Sequence, residues 1–182
     1  MTGNPFPNRL RKRSFAPVVD ARTRVLVLGS LPGEASLAQG RYYAHPRNQF
    51  WILMGAVIGN DLAGLPYPER LETLLAAQVG LWDVIQSASR TGSLDGNIRD
   101  HSPNGLAELV EGIPSLVAVG FNGATSAAIG RKLLGHIAGL KLIPLPSSSP
   151  AYTLPLHDKL GVWMGLAECL QGEVGQPARP PP

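Results

Sequence analysis

A chain of 182 residues, 44% apolar and 16% charged, has the length and composition of one packed domain, which excludes an intrinsically disordered protein. It has no run of about 18 apolar residues, which excludes a membrane-spanning helix. Its single cysteine, Cys169, excludes an internal disulfide and a cysteine-rich zinc or iron–sulfur centre.

The first 24 residues hold six Lys/Arg against one acid, and the remainder holds ten against twelve. The net charge of +3 therefore sits on the N-terminal arm. Residues 1–20 read as a basic flexible arm. It is either an electrostatic contact for a polyanion or a solvated tail. No apolar segment follows its basic residues, so it is not a secretory leader and a cytoplasmic location is expected.

Arg24 to Leu28 is a short apolar run closed by Gly29, the pattern of a buried parallel strand. Residues 30–47 read as a long loop with one helical turn. Apolar residues then recur at helical spacing from Asn48 to Ile58, and a second helix fits Pro68 to Gln78. Leu81 to Ile85 is a second strand, and residues 86–101 are polar and irregular. Ser102 and Pro103 predict a helix start, with serine as N-cap and proline at the first position. Ser115 to Gly120 is a third strand, followed by a helix over 123–134. Lys141 to Leu145 is a fourth strand, followed by a helix over 156–170. Residues 172–182 read as a disordered Pro-rich tail, which leaves one domain over 21–171.

Alternating strands and helices predict a three-layer α/β/α fold with a central, mostly parallel four-stranded sheet. Ligands of such sheets bind at the carboxyl ends of the strands. That rule brings three loops into one cleft: residues 29–48, 121–123 and 145–152. The first carries Gly29-Ser30-Leu31-Pro32-Gly33 and then Tyr42, Tyr43, His45, Arg47 and Asn48. It lacks the glycine order of a dinucleotide loop and the Gly-Lys-Ser/Thr of a P-loop. Two aromatic faces and an amide this close together suit recognition of an unstacked base. Each residue also has a plain structural use, Tyr42 as a core edge and Asn48 as a helix N-cap.

The run from Gly29 to Trp51 resembles the first motif of the mismatch-specific uracil/thymine-DNA glycosylases. Phe121-Asn122-Gly123 is similar to their second conserved turn, and Pro146-Ser147-Ser148-Ser149 to their third loop. Those enzymes carry a catalytic asparagine where this chain has Leu31. The branch of the uracil-DNA glycosylase superfamily that also lacks a polar residue there is the hypoxanthine-DNA glycosylase family, which the three segments resemble best. The iron–sulfur branches use four cysteines.

The resemblance implies a monofunctional DNA glycosylase. It would flip a deaminated base, favouring hypoxanthine with uracil or xanthine as further candidates, and hydrolyse its N-glycosidic bond. The rival readings are a mismatch-specific uracil/thymine glycosylase and a non-catalytic binder of damaged DNA. The implied catalytic residue is Asn48. The implied base-binding residues are Tyr43 as the stacking platform, Asn122, and the turn Gly29-Ser30-Leu31 through its backbone amides. Asn122 either touches the base or shapes its turn. The implied DNA-contacting loop is Ser147, Ser148 and Ser149 on phosphates, with Pro150, Ala151 or Tyr152 near the vacated stack. Asp83, at a strand end, is a candidate for binding water, and His101 and His157 read as structural. The expected partner is double-stranded DNA with a deaminated base. The protein is expected to act as a monomer, without metal, iron–sulfur cluster or cofactor.

Overall fold

The computed structural model describes residues 11–172. In chain order they form β1 (Arg11–Arg13), β2 (Val25–Gly29), α1 (Glu34–Gln39), α2 (Phe50–Ile58), α3 (Tyr67–Ala76), β3 (Val79–Asp83), β4 (Ile85–Ser89), β5 (Arg99–Pro103), α4 (Leu106–Glu111), β6 (Ala118–Asn122), α5 (Ala124–Leu134), β7 (Lys141–Leu145), α6 (Leu156–Trp163) and α7 (Gly165–Gln171). The expected start of the basic arm, 1–10, and nearly all of the expected Pro-rich tail, 173–182, lie outside the described residues.

β2 is buried at all five positions. An unbroken Val-Leu-Val-Leu run cannot present a polar face, so it packs with cover on both sides. Val25 and Val27 join one cluster with Phe50, Leu53, Leu74, Trp163 and Leu166, from α2, α3, α6 and α7. Leu26 and Leu28 join the other with Leu106, Val110 and Leu134, from α4 and α5. The result is the expected three-layer α/β/α arrangement. The four-stranded sheet is wholly parallel, in the order β3-β2-β6-β7.

The registers pair Gly29 with Asp83, Leu28 with Phe121, and Asn122 with Leu145. The carboxyl ends of all four strands are therefore level. β3 lies on one side of β2 and β6 on the other, so the chain reverses its direction of travel across the sheet beside β2. Such a switch point opens a crevice at the strand ends.

Four expectations are corrected. The segment read as irregular holds β4 and β5, which form a second, antiparallel sheet in the order β1-β4-β5. Residues 11–20, read as part of a flexible arm, are built into the domain. β1 pairs with β4, Val18 bridges Leu81, and Arg11 donates to Ser87 Oγ (3.0 Å) and to the Asp100 carbonyl (2.9 Å). Ser102 and Pro103 end β5 instead of starting a helix, and α4 begins at Leu106 with Gly105 as its N-cap. A strand end tolerates proline, which has no N–H to leave unpaired. The last helix also divides at Met164 into α6 and α7.

Candidate active site

A cavity of ≈ 350 Å³ opens at the strand ends. All twelve site residues expected from the sequence line it: Gly29, Ser30, Leu31, Tyr43, Asn48, Asn122 and the loop from Ser147 to Tyr152. Asp83, Ser93, Leu94 and Asp95 line it too. The last three lie in the polar segment after β4, where Ser, Gly, Asp and Asn signal only a loop.

The first turn is fixed from behind. Val84 N–H donates to the Gly29 carbonyl (2.8 Å) and Ile85 N–H to the Ser30 carbonyl (3.1 Å). Buried Arg90 donates to the carbonyls of Leu31 (3.1 Å), Pro32 and Gly92 (3.0 Å). With its carbonyls held, the turn keeps the N–H groups of Ser30 and Leu31 free of any partner among the described residues. The Leu31 side chain is 5% exposed and packs in the core. Ser30 Oγ donates to Asp95 Oδ1 (2.6 Å), and Glu34 N–H donates to Ser93 Oγ (2.9 Å), which ties the loop after β4 to this turn. Gly29 is required by close approach. A Cβ there would meet Asp83 Oδ1 at 2.7 Å and the Tyr43 hydroxyl at 3.2 Å.

Tyr43 adopts φ 52°, a left-handed conformation costly for a bulky residue. Its ring stacks on Phe50 with centroids 3.7 Å apart and planes 9° apart, and its carbonyl accepts from Trp51 Nε1 (3.2 Å). One ring face is thus covered by protein, and the residue still lines the cavity. Tyr42 is buried and donates its hydroxyl to the Ala16 carbonyl (3.0 Å), in line with a structural use. The N-cap of α2 is Gln49 and not Asn48 as expected. Asn48 stands one residue earlier, and its Oδ1 accepts from Phe50 N–H (2.9 Å) in an Asx turn. Its Nδ2 has no protein partner among the described residues. The residue therefore braces the start of α2 and still lines the cavity.

The third loop is anchored by Asn122. Its Nδ2 donates to Ser148 Oγ (2.8 Å), and Ser148 N–H donates back to its Oδ1 (2.8 Å). Ser148 is 1% exposed. Its hydroxyl is turned inward to the Asn122 amide and not outward, where a phosphate contact was expected. Ser147 Oγ and Ser149 Oγ accept from the N–H groups two residues on, at 3.2 Å each. Lys159 is 1% exposed and donates to Gln49 Oε1 and to the Tyr152 carbonyl, both at 2.8 Å. Gln49 N–H in turn donates to the Ser148 carbonyl (3.0 Å). The start of α2 and the loop thus form one braced unit, from which Tyr152 projects 47% exposed.

Asp83 is the buried acid of the site, 4% exposed. Burial pushes its carboxyl up to about 7, and the negative Asp95 adds to this while Arg90 pulls the other way. Burial and the Asp83 charge hold the Tyr43 phenol far above its usual range, with Asn122 acting in the opposite sense. His101 lies in β5 and His157 pairs with Asp158 (3.1 Å), and neither lines the cavity. Among the described residues no three His, Cys, Asp or Glu side chains group to hold a metal, and no helix is long and apolar enough to cross a membrane.

The family description of the uracil DNA glycosylase superfamily matches residues 16–164. The chain is 44% identical over 154 residues to a hypoxanthine DNA glycosylase of Methanosarcina barkeri (strain Fusaro), covering 85% of this chain and 96% of that protein. It is 41% identical over 140 residues to a hypoxanthine DNA glycosylase of Methanosarcina acetivorans, covering 77% and 87%. A solution NMR structure of a Methanosarcina acetivorans protein assigned as a uracil DNA glycosylase superposes with a TM-score of 0.78 at 36% identity, covering 90% of this chain and 100% of that one. The chain belongs to the uracil DNA glycosylase superfamily.

Proposed function

We propose that this protein is a monofunctional DNA glycosylase that flips hypoxanthine out of duplex DNA and hydrolyses its N-glycosidic bond, leaving an abasic site for base-excision repair. The observation that carries the reading is the convergence on one strand-end cavity of Asn48, Tyr43 and two backbone N–H groups without a partner among the described residues. The relatives at 41–44% identity are hypoxanthine DNA glycosylases.

The bond breaks through an oxocarbenium-like state, with positive charge on the sugar and negative charge on the base. Fixed dipoles stabilise such charges without reorganising. The Ser30 and Leu31 N–H groups donate to the carbonyl that deamination creates. Tyr43 offers its open face to the base, a contact worth about 1–3 kcal/mol. Asn48 is neither acid nor base near neutral pH, and its free Nδ2 orients the attacking water or the base edge. Asn122 positions the third loop through Ser148. Ser147 and Ser149 meet phosphates, and Pro150, Ala151 and Tyr152 press toward the vacated stack. The protein acts in the cytoplasm as a monomer, without metal or cofactor.

Duplexes carrying deoxyinosine, deoxyuridine, deoxyxanthosine or a thymine mismatch test this reading through alkali-labile abasic sites. Deoxyinosine should be cut fastest. Faster cutting of deoxyuridine would replace it with the uracil/thymine reading. Lesion binding with no cutting at any enzyme excess would replace it with a non-catalytic binder.

A further inference from the structure

Two carboxyl oxygens of one side chain face different surroundings at the floor of the cavity. Asp83 ends β3, opposite Gly29 in the register. Its Oδ2 is sealed and has no hydrogen-bond partner among the described residues. Its Oδ1 lies beside the bare Cα of Gly29, where a methyl group would sit 2.7 Å away. The residue lines the cavity, and Oδ1 is the oxygen a ligand can reach. A buried carboxylate needs donors. The nearby cation, Arg90, makes its hydrogen bonds to the carbonyls of Leu31, Pro32 and Gly92 and none to this carboxyl among the described residues, and Asn104 Nδ2 takes the Asp83 carbonyl and not the carboxyl (2.8 Å). An acid in this setting suits the neutral form, with its proton on Oδ1 as a donor into the cavity.

We propose that Asp83 is a further catalytic residue, a general acid that gives its Oδ1 proton to N7 of a flipped purine as the glycosidic bond breaks. This rests on the hypoxanthine reading and deepens it. The proton passes from Oδ1 to N7, and the electron pair of the C1′–N9 bond moves onto the ring, so hypoxanthine leaves neutral. Water adds its oxygen to C1′ and loses a proton to solvent. Solvent then reprotonates Asp83 once the base departs. Uracil has no counterpart of N7 and leaves as an anion, so this step favours a purine.

The groups that face the carboxyl are Arg90, the residue after β4, Asp95 from the loop that follows, and Tyr42 and Tyr43 from the segment before α2. Both phenols are pushed up by burial and stay protonated. Burial and Asp95 oppose loss of the Asp83 proton and Arg90 favours it, and together they leave the carboxyl near 7.

The test is single-turnover base release between pH 5.5 and 9 from duplexes containing deoxyinosine or 7-deaza-2′-deoxyinosine, which lacks N7. The wild-type rate on deoxyinosine should be level below about pH 7 and fall tenfold per unit above it. Asp83→Asn should be about 10²–10⁴-fold slower with a flat profile. On the 7-deaza substrate the wild type should fall to a similar low rate, with no further loss from Asp83→Asn. The wild-type comparison of the two substrates stands even if the variant folds poorly. A wild-type rate on deoxyinosine that is independent of pH, or equal on both substrates, overturns the proposal. So does an Asp83→Asn loss of the same size on both. Absence of any hypoxanthine release by the wild type would remove the hypoxanthine reading along with it. Release that Asp83→Asn leaves unchanged removes this proposal alone.

Discussion

Asn48 braces the start of α2 and lines the cavity, and its two amide atoms separate the two duties. Oδ1 accepts from Phe50 N–H, while Nδ2 has no partner among the described residues. Asn48→Asp keeps the acceptor for Phe50 N–H and loses the amide donors. Excision should fall at least 100-fold in this variant with the melting temperature within a few degrees of wild type. Asn48→Ala should lose both activity and about 1 kcal/mol of stability, the worth of the lost bond to Phe50 N–H. An Asp variant with near wild-type excision would leave Asn48 a brace for the start of α2 and nothing more.

Asp83 links activity to stability at this same scale. Its folded value of about 7 stands above the ordinary aspartate value of 3.8, so between these the folded state binds the extra proton. Stability therefore declines as pH rises from about 4 to about 7 and is level above that. Asp83→Asn removes the titration. The variant should melt several degrees higher than wild type at pH 8 and near wild type at pH 4. An equal melting-temperature difference at both pH values would show that Asp83 does not titrate in this range. Asp83 was legible in the sequence only as an acid at a strand end. Its importance comes from burial and from Gly29 lying opposite, which only the fold supplies.

Among the elements, the four parallel strands were legible because each is a short apolar run bounded by turn residues, as in Val25–Gly29 and Ala118–Asn122. β4 and β5 were not, because Gln86, Ser87, Ser89, Arg99, Asp100 and His101 give no period-2 apolar pattern. Register shifts between Ile85 and Ser89 blur the alternation further. The Ser102-Pro103 pair imitated a helix start because a local cap signal carries no information about the strand it pairs with. The third loop was legible as a motif, but the inward turn of Ser148 depends on Asn122, 26 residues away. Ser148→Ala leaves Asn122 Nδ2 without its acceptor in a buried setting, while the backbone bond to Oδ1 remains, at a cost of about 1–3 kcal/mol. Excision should fall together with stability, and Ser147→Ala should cost little stability because Ser147 is only half-buried. Equal stability losses for the two would contradict the anchor role.

At the scale of the whole molecule, the sheet sets the function by keeping four strand ends level. Its turns then place a backbone donor pair, an aromatic face, an amide and an acid around one cavity. The second sheet contributes from outside that frame. It carries Arg90, which holds the first turn, and the loop that brings Asp95 over it. Part of the basic N-terminal segment belongs to this sheet. Lys12 pairs with Glu34, and Arg11 is tied to β4 and to Asp100, so these charges support the fold as well as the field.

The most direct measurement is chromatographic identification of the base released from a deoxyinosine duplex at pH 7 with enzyme in excess. The account predicts free hypoxanthine and abasic sites in equal amounts, one per lesion, without added metal. Intact duplex after many hours, with the protein folded and bound to the DNA, would contradict it.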